Sequence, residues 1–211
     1  MCEHQSMADA LRDLESVQPF APNPATQRAC VRYLLRCIGE DPNREGLIDT
    51  PKRVVKALTE MTAGLHQDPK AVLGTTFSEA YDEMVIVRNI RFTSMCEHHL
   101  LPFDGEAVVA YIPNKRVVGL SKIPRLTQVL AQRPQMQERL TQQIAHTLNE
   151  VLEPLGVGVL ARAHHSCMGC RGVRQPDADM VTSCLLGAMR EPAVRSEFLN
   201  IARSGIKGRP A

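Results

Sequence analysis

Apolar positions along the chain change their period several times, and each change marks an element. Val54, Val55, Leu58 and Met61 recur at helical spacing behind Thr50 and Pro51. A threonine hydroxyl caps a helix start and proline suits the first helical position, so a helix begins there and ends before Gly64. An earlier helix is predicted from about Thr26 to Ile38, with Gly39 as its stop. The first 24 residues are polar and carry Pro19, Pro22 and Pro24, which predicts a loosely ordered segment. From Pro69 onward the texture changes. Met84–Phe92 and Glu106–Ile112 are rich in Val, Ile and Ala and read as strands, and Pro113-Asn114-Lys115 turns the chain into a short strand at Arg116–Gly119. A short helix is predicted from Ser121 or Lys122 to Ala131. Pro134 is expected to open a long one, in which Met136, Leu140, Ile144, Leu148 and Leu152 recur every four residues until Pro154 and Gly156. Val157–Ala163 alternates as a strand, Met180–Met189 is a further strand, and Glu191–Arg203 is the last helix, with Val194, Phe198 and Ile201 inward.

Strand, strand, helix, helix, strand, strand is an α+β order, with an antiparallel sheet covered on one face by helices. The expected organisation is a flexible segment at 1–25, a helical appendage at 26–70 and a main domain at 71–211. A sheet this small has open edges, a liability that pairing with a neighbouring subunit removes.

Composition narrows the classes. Hydrophobic residues are 44% and charged residues 23%, as in an ordinary globular protein, and aromatics are only 4%, so the core has to be aliphatic. A net charge of +2 gives no support for a nucleic-acid or membrane partner. No apolar run is long enough to span a membrane, and the start, with Glu3, Asp9, Asp13 and Glu15, does not read as a signal peptide. A cytoplasmic protein is expected, in which seven cysteines are free thiols or metal ligands rather than disulfides.

Two clusters carry candidate chemistry. One is Cys96-Glu97-His98-His99, and the other is His164-His165-Ser166-Cys167 with Cys170 three residues on. A lone cysteine is most often a small buried hydrophobe. Two Cys/His clusters at strand ends point instead to a metal, and zinc prefers thiolate and imidazole. Cys96, His99 and Cys167 as three ligands leave a fourth position for water, the pattern of a catalytic site. Adding Cys170 closes the shell and makes the site structural, and spacing alone leaves both readings open. Basic residues give a second signal. Ser121-Lys122-Ile123-Pro124-Arg125 sits at a strand-to-helix junction that suits phosphate, Arg171 follows the second cluster, and Arg53 and Lys56 lie on the Thr50 helix. Taken singly, each is an ordinary surface charge. Their place beside the two clusters suggests a polyphosphate site.

The run Thr93-Ser94-Met95-Cys96-Glu97-His98-His99-Leu100 resembles the zinc motif of the GTP cyclohydrolase I family. Val118-Gly119-Leu120-Ser121-Lys122, Ala131 through Thr141, and His165-Ser166-Cys167 with Arg171-Gly172 resemble further motifs of the same family, in the same order. The likeness runs from about Gly46 to Arg203. It implies a tunnelling fold, an antiparallel four-stranded sheet with two helices on one face, which oligomerises into a barrel as a homodecamer of two stacked pentamers. It implies Zn²⁺ on Cys96, His99 and Cys167, proton transfer by His98 and His165, and a guanine edge held by Glu138. By the same resemblance Ser121 lines the pocket, and Lys122, Arg125, Arg171 and Lys56, with Arg53 as a further candidate, hold the triphosphate. The implied reaction hydrolyses GTP at the imidazole carbon of guanine, releases formate and forms 7,8-dihydroneopterin triphosphate. Cys170, Cys184 and the doubled His164 depart from the family pattern, as does the acidic, Pro-containing stretch Gln175–Met180. Two other readings remain: a related tunnelling-fold enzyme acting on another purine or pterin, and a non-catalytic oligomer with structural zinc.

Overall fold

The computed structural model describes residues 23–205. Most of the expected loose segment at 1–25 therefore lies outside the described residues. The chain divides into two compact units, Met1–Thr59 and Glu60–Ala211.

The described part of the first unit is helical. Helix α1 spans Pro24–Cys37, where the Asn23 side chain accepts from the Ala25 N–H and proline occupies the first turn. Gly39 just beyond it adopts φ +87°, the left-handed conformation that ends helices. Helix α2, Thr50–Met61, follows.

The second unit is built on a sheet. In chain order its elements are α3 (Pro69–Val72), β1 (Thr76–Ser78), β2 (Val85–Cys96), β3 (Pro102–Ile112), β4 (Arg116–Val118), α4 (Lys122–Ala131), β5 (Pro134–Gln135), α5 (Gln137–Leu152), β6 (Gly156–His165), α6 (Ser166–Gly169), β7 (Asp179–Gly187) and α7 (Pro192–Gly205). The strand order is β5-β2-β3-β6-β7, with β1 and β4 forming a separate pair. The four long strands are antiparallel, as expected, and β5 adds a two-residue parallel edge to β2. Pro134 thus does not open the long helix. It pairs beside Met95, the Gln135 carbonyl accepts from the Glu97 N–H at 3.1 Å, and α5 starts at Gln137. Proline suits a two-residue edge strand as well as a first helical turn, so the residue type alone does not choose.

Side-chain parity separates the two faces of the sheet. Ala107, Val109 and Tyr111 of β3 and Val157, Val159, Ala161 and Ala163 of β6 join one core with Leu126 and Leu130 of α4 and Leu140, Ile144, Leu148 and Leu152 of α5. Val108, Ala110 and Leu160 point the other way, into a smaller core closed by Phe198 and Ala202 of α7. Two helices on one face match the sequence reading, and the third, α7, covers part of the other. In β2 a bulge lets Val87 pair with Val109 and Ile90 with Ala107, so one extra residue enters β2, and Asn89 takes φ 57° there. Without that residue the parity would invert. With it, Val85, Val87, Ile90, Phe92 and finally Cys96 all reach the α4/α5 core. Among the described residues no helix is long and apolar enough to cross a membrane.

Candidate active site

The same parity delivers the two Cys/His clusters to one place. Cys96 ends β2, β3 starts at Pro102, and β6 ends at His165, opposite Phe103. Between β2 and β3 the loop is tight: the Leu100 N–H donates to Cys96 O at 2.8 Å, and the Cys96 N–H to Leu101 O at 2.8 Å. Leu100 is held at φ 54°, a left-handed conformation that costs a leucine roughly 1–2 kcal/mol. Strain of this kind persists where surroundings enforce it and is common at functional sites. Here it folds the imidazoles of His98 and His99 back over the Cys96 sulfur, with each Nδ1 3.8 Å from Sγ.

After β6 the short turn α6 brings in Cys167. The ligand atoms of Cys96, His99 and Cys167 all lie within 4.8 Å of one another, Cys96 buried, Cys167 half-buried and His99 exposed. Burial pushes the Cys167 thiol up, and the neighbouring Cys96 sulfur pushes it further. Two sulfurs this close resist joint ionisation unless a cation compensates them, so the cluster fits a metal better than it fits two bare thiolates. Two thiols and an imidazole are the donor set of zinc. The exposed Cys170 stands outside this triad among the described residues.

The surroundings are polar and ordered. Arg171 places Nη1 3.3 Å from His99 Nε2. Glu97 pairs with Arg139 of α5, whose guanidinium holds the Glu97 carboxyl below its ordinary range. His165 is half-buried. Burial pushes its pKa down, the Glu138 carboxylate opposes that shift, and His164 adds to it. Its ring lies flat against Phe103, and its Nε2 sits 2.9 Å from Gln137 Oε1. The sequence reading gives Gln137 no role beyond its place in the Ala131–Thr141 motif. The available signal was a stripe on α5 that is apolar at Leu140, Ile144 and Leu148 but turns polar, yet stays buried, at Gln137 and Thr141.

Of the expected site residues, Cys96, His98, His99, Cys167 and Arg171 therefore converge, with His165 and Glu138 beside them. Ser121, Lys122 and Arg125 do not. They sit at the start of α4, whose last residue, Ala131, accepts from Ser94 Oγ at 2.6 Å. At about 1.5 Å per residue, Lys122 lies about 13 Å and Arg125 about 9 Å along the helix from Ala131, so these groups stand toward the other end of α4 from the Ser94 contact. Arg53 and Lys56 belong to α2, where Arg53 pairs with Asp49 at 3.3 Å.

The sequence matches the family described as GTP cyclohydrolase I over residues 27–203. It is 55% identical over 173 residues to GTP cyclohydrolase 1 of Streptococcus suis (strain 05ZYH33), covering 81% of this chain and 92% of that one. It is 52% identical to the enzyme of that name from Leptospira biflexa serovar Patoc, covering 83% and 97%. Against that of Geobacillus sp. (strain WCH70) the identity is 51%, covering 82% and 93%.

Proposed function

The chain belongs to the GTP cyclohydrolase I family, and we propose from that premise that Cys96, His99 and Cys167 hold a zinc ion where GTP is opened. The activity is that of the family: hydrolysis of GTP in pterin and folate biosynthesis, with loss of the imidazole carbon as formate and formation of dihydroneopterin triphosphate. The observation that carries the zinc assignment is the convergence of two sulfurs and one imidazole within 4.8 Å. Zinc held there supplies Lewis acidity and activates water near neutral pH.

The protein's own groups do the rest. His98 or His165 delivers a proton to an imidazole nitrogen of the guanine, so that the carbon between the two nitrogens accepts water and the C–N bond opens. Glu138 accepts two N–H bonds from the guanine edge, a pattern adenine does not offer. Arg171, Lys122, Arg125 and Lys56, with Arg53, hold the triphosphate, and Ser121 lines the pocket. Their contribution is orientation rather than bond making.

The active unit on this reading is a homo-oligomer, a decamer of two pentamers, in the cytoplasm, with 71–211 as the catalytic domain and 26–70 as a helical appendage. Two features support assembly. Strand β7 has a neighbour only in β6 among the described residues, so nine residues of backbone edge seek a partner. The phosphate-binding residues proposed at the start of α4 also lie toward the opposite end of that helix from Ala131, which contacts Ser94 two residues before Cys96, and that separation suits a site built between subunits.

Protein, zinc and GTP are mixed, and formate and a fluorescent pterin are measured after oxidation. His98→Ala and His165→Ala should bind zinc and GTP but lose about 10²–10⁴-fold in ring opening. Glu138→Gln should weaken GTP binding, because one acceptor becomes a donor facing N–H groups. Near-normal formate release by either histidine variant, or near-normal GTP binding by Glu138→Gln, removes that residue from its role.

A further inference from the structure

We propose that Gln137 is a positioning residue that locks His165 in a single tautomer, with the proton on Nε2 and the lone pair on Nδ1. This rests on the proton-transfer role proposed for His165 and makes Nδ1 the ring nitrogen that takes up the proton His165 then passes on.

Gln137 is the first residue of α5, and it is only 1% exposed. Its amide nitrogen approaches Met180 O at 2.9 Å, Ala161 O at 3.2 Å and Thr182 Oγ1 at 3.2 Å. Two of these partners are carbonyls, which only accept, so the nitrogen of the amide must be the atom that faces them. The amide oxygen is then the atom 2.9 Å from His165 Nε2. An amide oxygen also only accepts, so the hydrogen of that bond belongs to His165 Nε2. A neutral imidazole carries one N–H, and Nδ1 is left as the acceptor.

The neighbouring hydroxyls keep the amide from turning over. Thr141 Oγ1 donates to Gln137 O at 2.8 Å, which uses its one hydrogen. The 2.7 Å contact between Thr141 and Thr182 therefore has Thr182 as donor, and the Thr182 oxygen is left to accept from the Gln137 amide. Turning the amide over would set its N–H groups against the His165 N–H and its oxygen against two carbonyl oxygens. Phe103 completes the clamp, with ring centroids 4.5 Å apart and planes 6° from parallel, so the imidazole has one plane as well as one tautomer. A glutamine that only tied α5 to the sheet would need its two N–H groups. Among the described residues the oxygen has no partner besides His165.

The test labels the histidine ring nitrogens of the zinc-loaded protein with ¹⁵N and records their spectra at alkaline pH, where the ring is neutral. His165 is assigned by the signals lost in His165→Gln. The expected result is a protonated Nε2 and an unprotonated Nδ1 in the natural protein. In Gln137→Met, which keeps length and removes the acceptor, both tautomers should appear. Its kcat should fall about tenfold or more while KM for GTP stays within about threefold and zinc content is unchanged, the pattern of a misplaced proton-transfer group rather than a lost pocket. A protonated Nδ1 in the natural protein overturns the proposal without any variant having to fold. So does Gln137→Met with a single Nε2–H tautomer and native kcat. If His165→Ala releases formate normally while the natural protein shows the Nε2–H form, the catalytic reading of His165 falls and the tautomer assignment stands.

Discussion

Phe103 and His165 are cross-strand partners of β3 and β6, and their rings stack face to face at 4.5 Å. The stack joins a fully buried core residue to a group proposed to move a proton, so packing error at one is read as rate loss at the other. Phe103→Leu should keep zinc and leave KM for GTP nearly unchanged while kcat drops about tenfold, since small misplacements of a reacting group are costly. Steady-state formate release checks this, and an unchanged kcat would separate the stacking from the chemistry.

Cysteines 167 and 170 should behave differently although they are three residues apart. Only Cys167 joins the triad with Cys96 and His99. Cys167→Ser is expected to lose both stoichiometric zinc and ring opening, whereas Cys170→Ser keeps one zinc per chain and most of its activity. Metal analysis of the two purified variants decides it, and loss of zinc from the Cys170 variant would indicate a closed, structural shell.

Much of this arrangement was legible in the sequence. The Val/Ile runs gave β2 and β3, the four-residue apolar repeat gave α5, and two Cys/His clusters at strand ends marked the triad. What was not legible has physical causes. The bulge at Asn89 depends on register with β3, which one strand read alone does not contain. The role of Pro134 was decided by pairing with Met95, a contact 39 residues back along the chain. Helix α7 on the opposite face follows from Leu160 and Val108 pointing away from α5, which needs both strands placed first. Gln137 escaped because its meaning lies in partners on β6 and β7, far off in sequence.

Gly105 in β3 should tolerate no side chain. A Cβ there would lie 2.0 Å from Arg162 O and 2.7 Å from Ala163 Cα, both backbone atoms of β6. The strand pair that carries Phe103 and His165 would have to part. Gly105→Ala is expected to cost about 1–3 kcal/mol or more by overpacking and to lower both the melting temperature and kcat. Thermal unfolding beside the natural protein measures it, and an unchanged melting temperature would mean that the strands separate freely at this point.

Co-assembly of two inactive variants tests the division of the site between subunits. Arg171 touches His99 of its own chain, so it is a poor partner for a defect at His98. Arg125, about 9 Å along α4 from Ala131, the residue that accepts from Ser94 of β2, is a better one. Mixed refolding of His98→Ala with Arg125→Ala should restore a fraction of the natural rate, because some sites then draw an intact residue from each chain. Absence of any recovery, with mixed oligomers confirmed by mass, places both groups in one chain's site.

The most direct test of the central claim is zinc removal and return. The protein is stripped with a chelator, its metal content is measured, and formate release from GTP is followed before and after zinc is added back. Activity should vanish with the metal and return in proportion to zinc up to one ion per chain, and Cys96→Ser should neither bind zinc nor recover. Metal-free protein that releases formate at the natural rate would contradict the account.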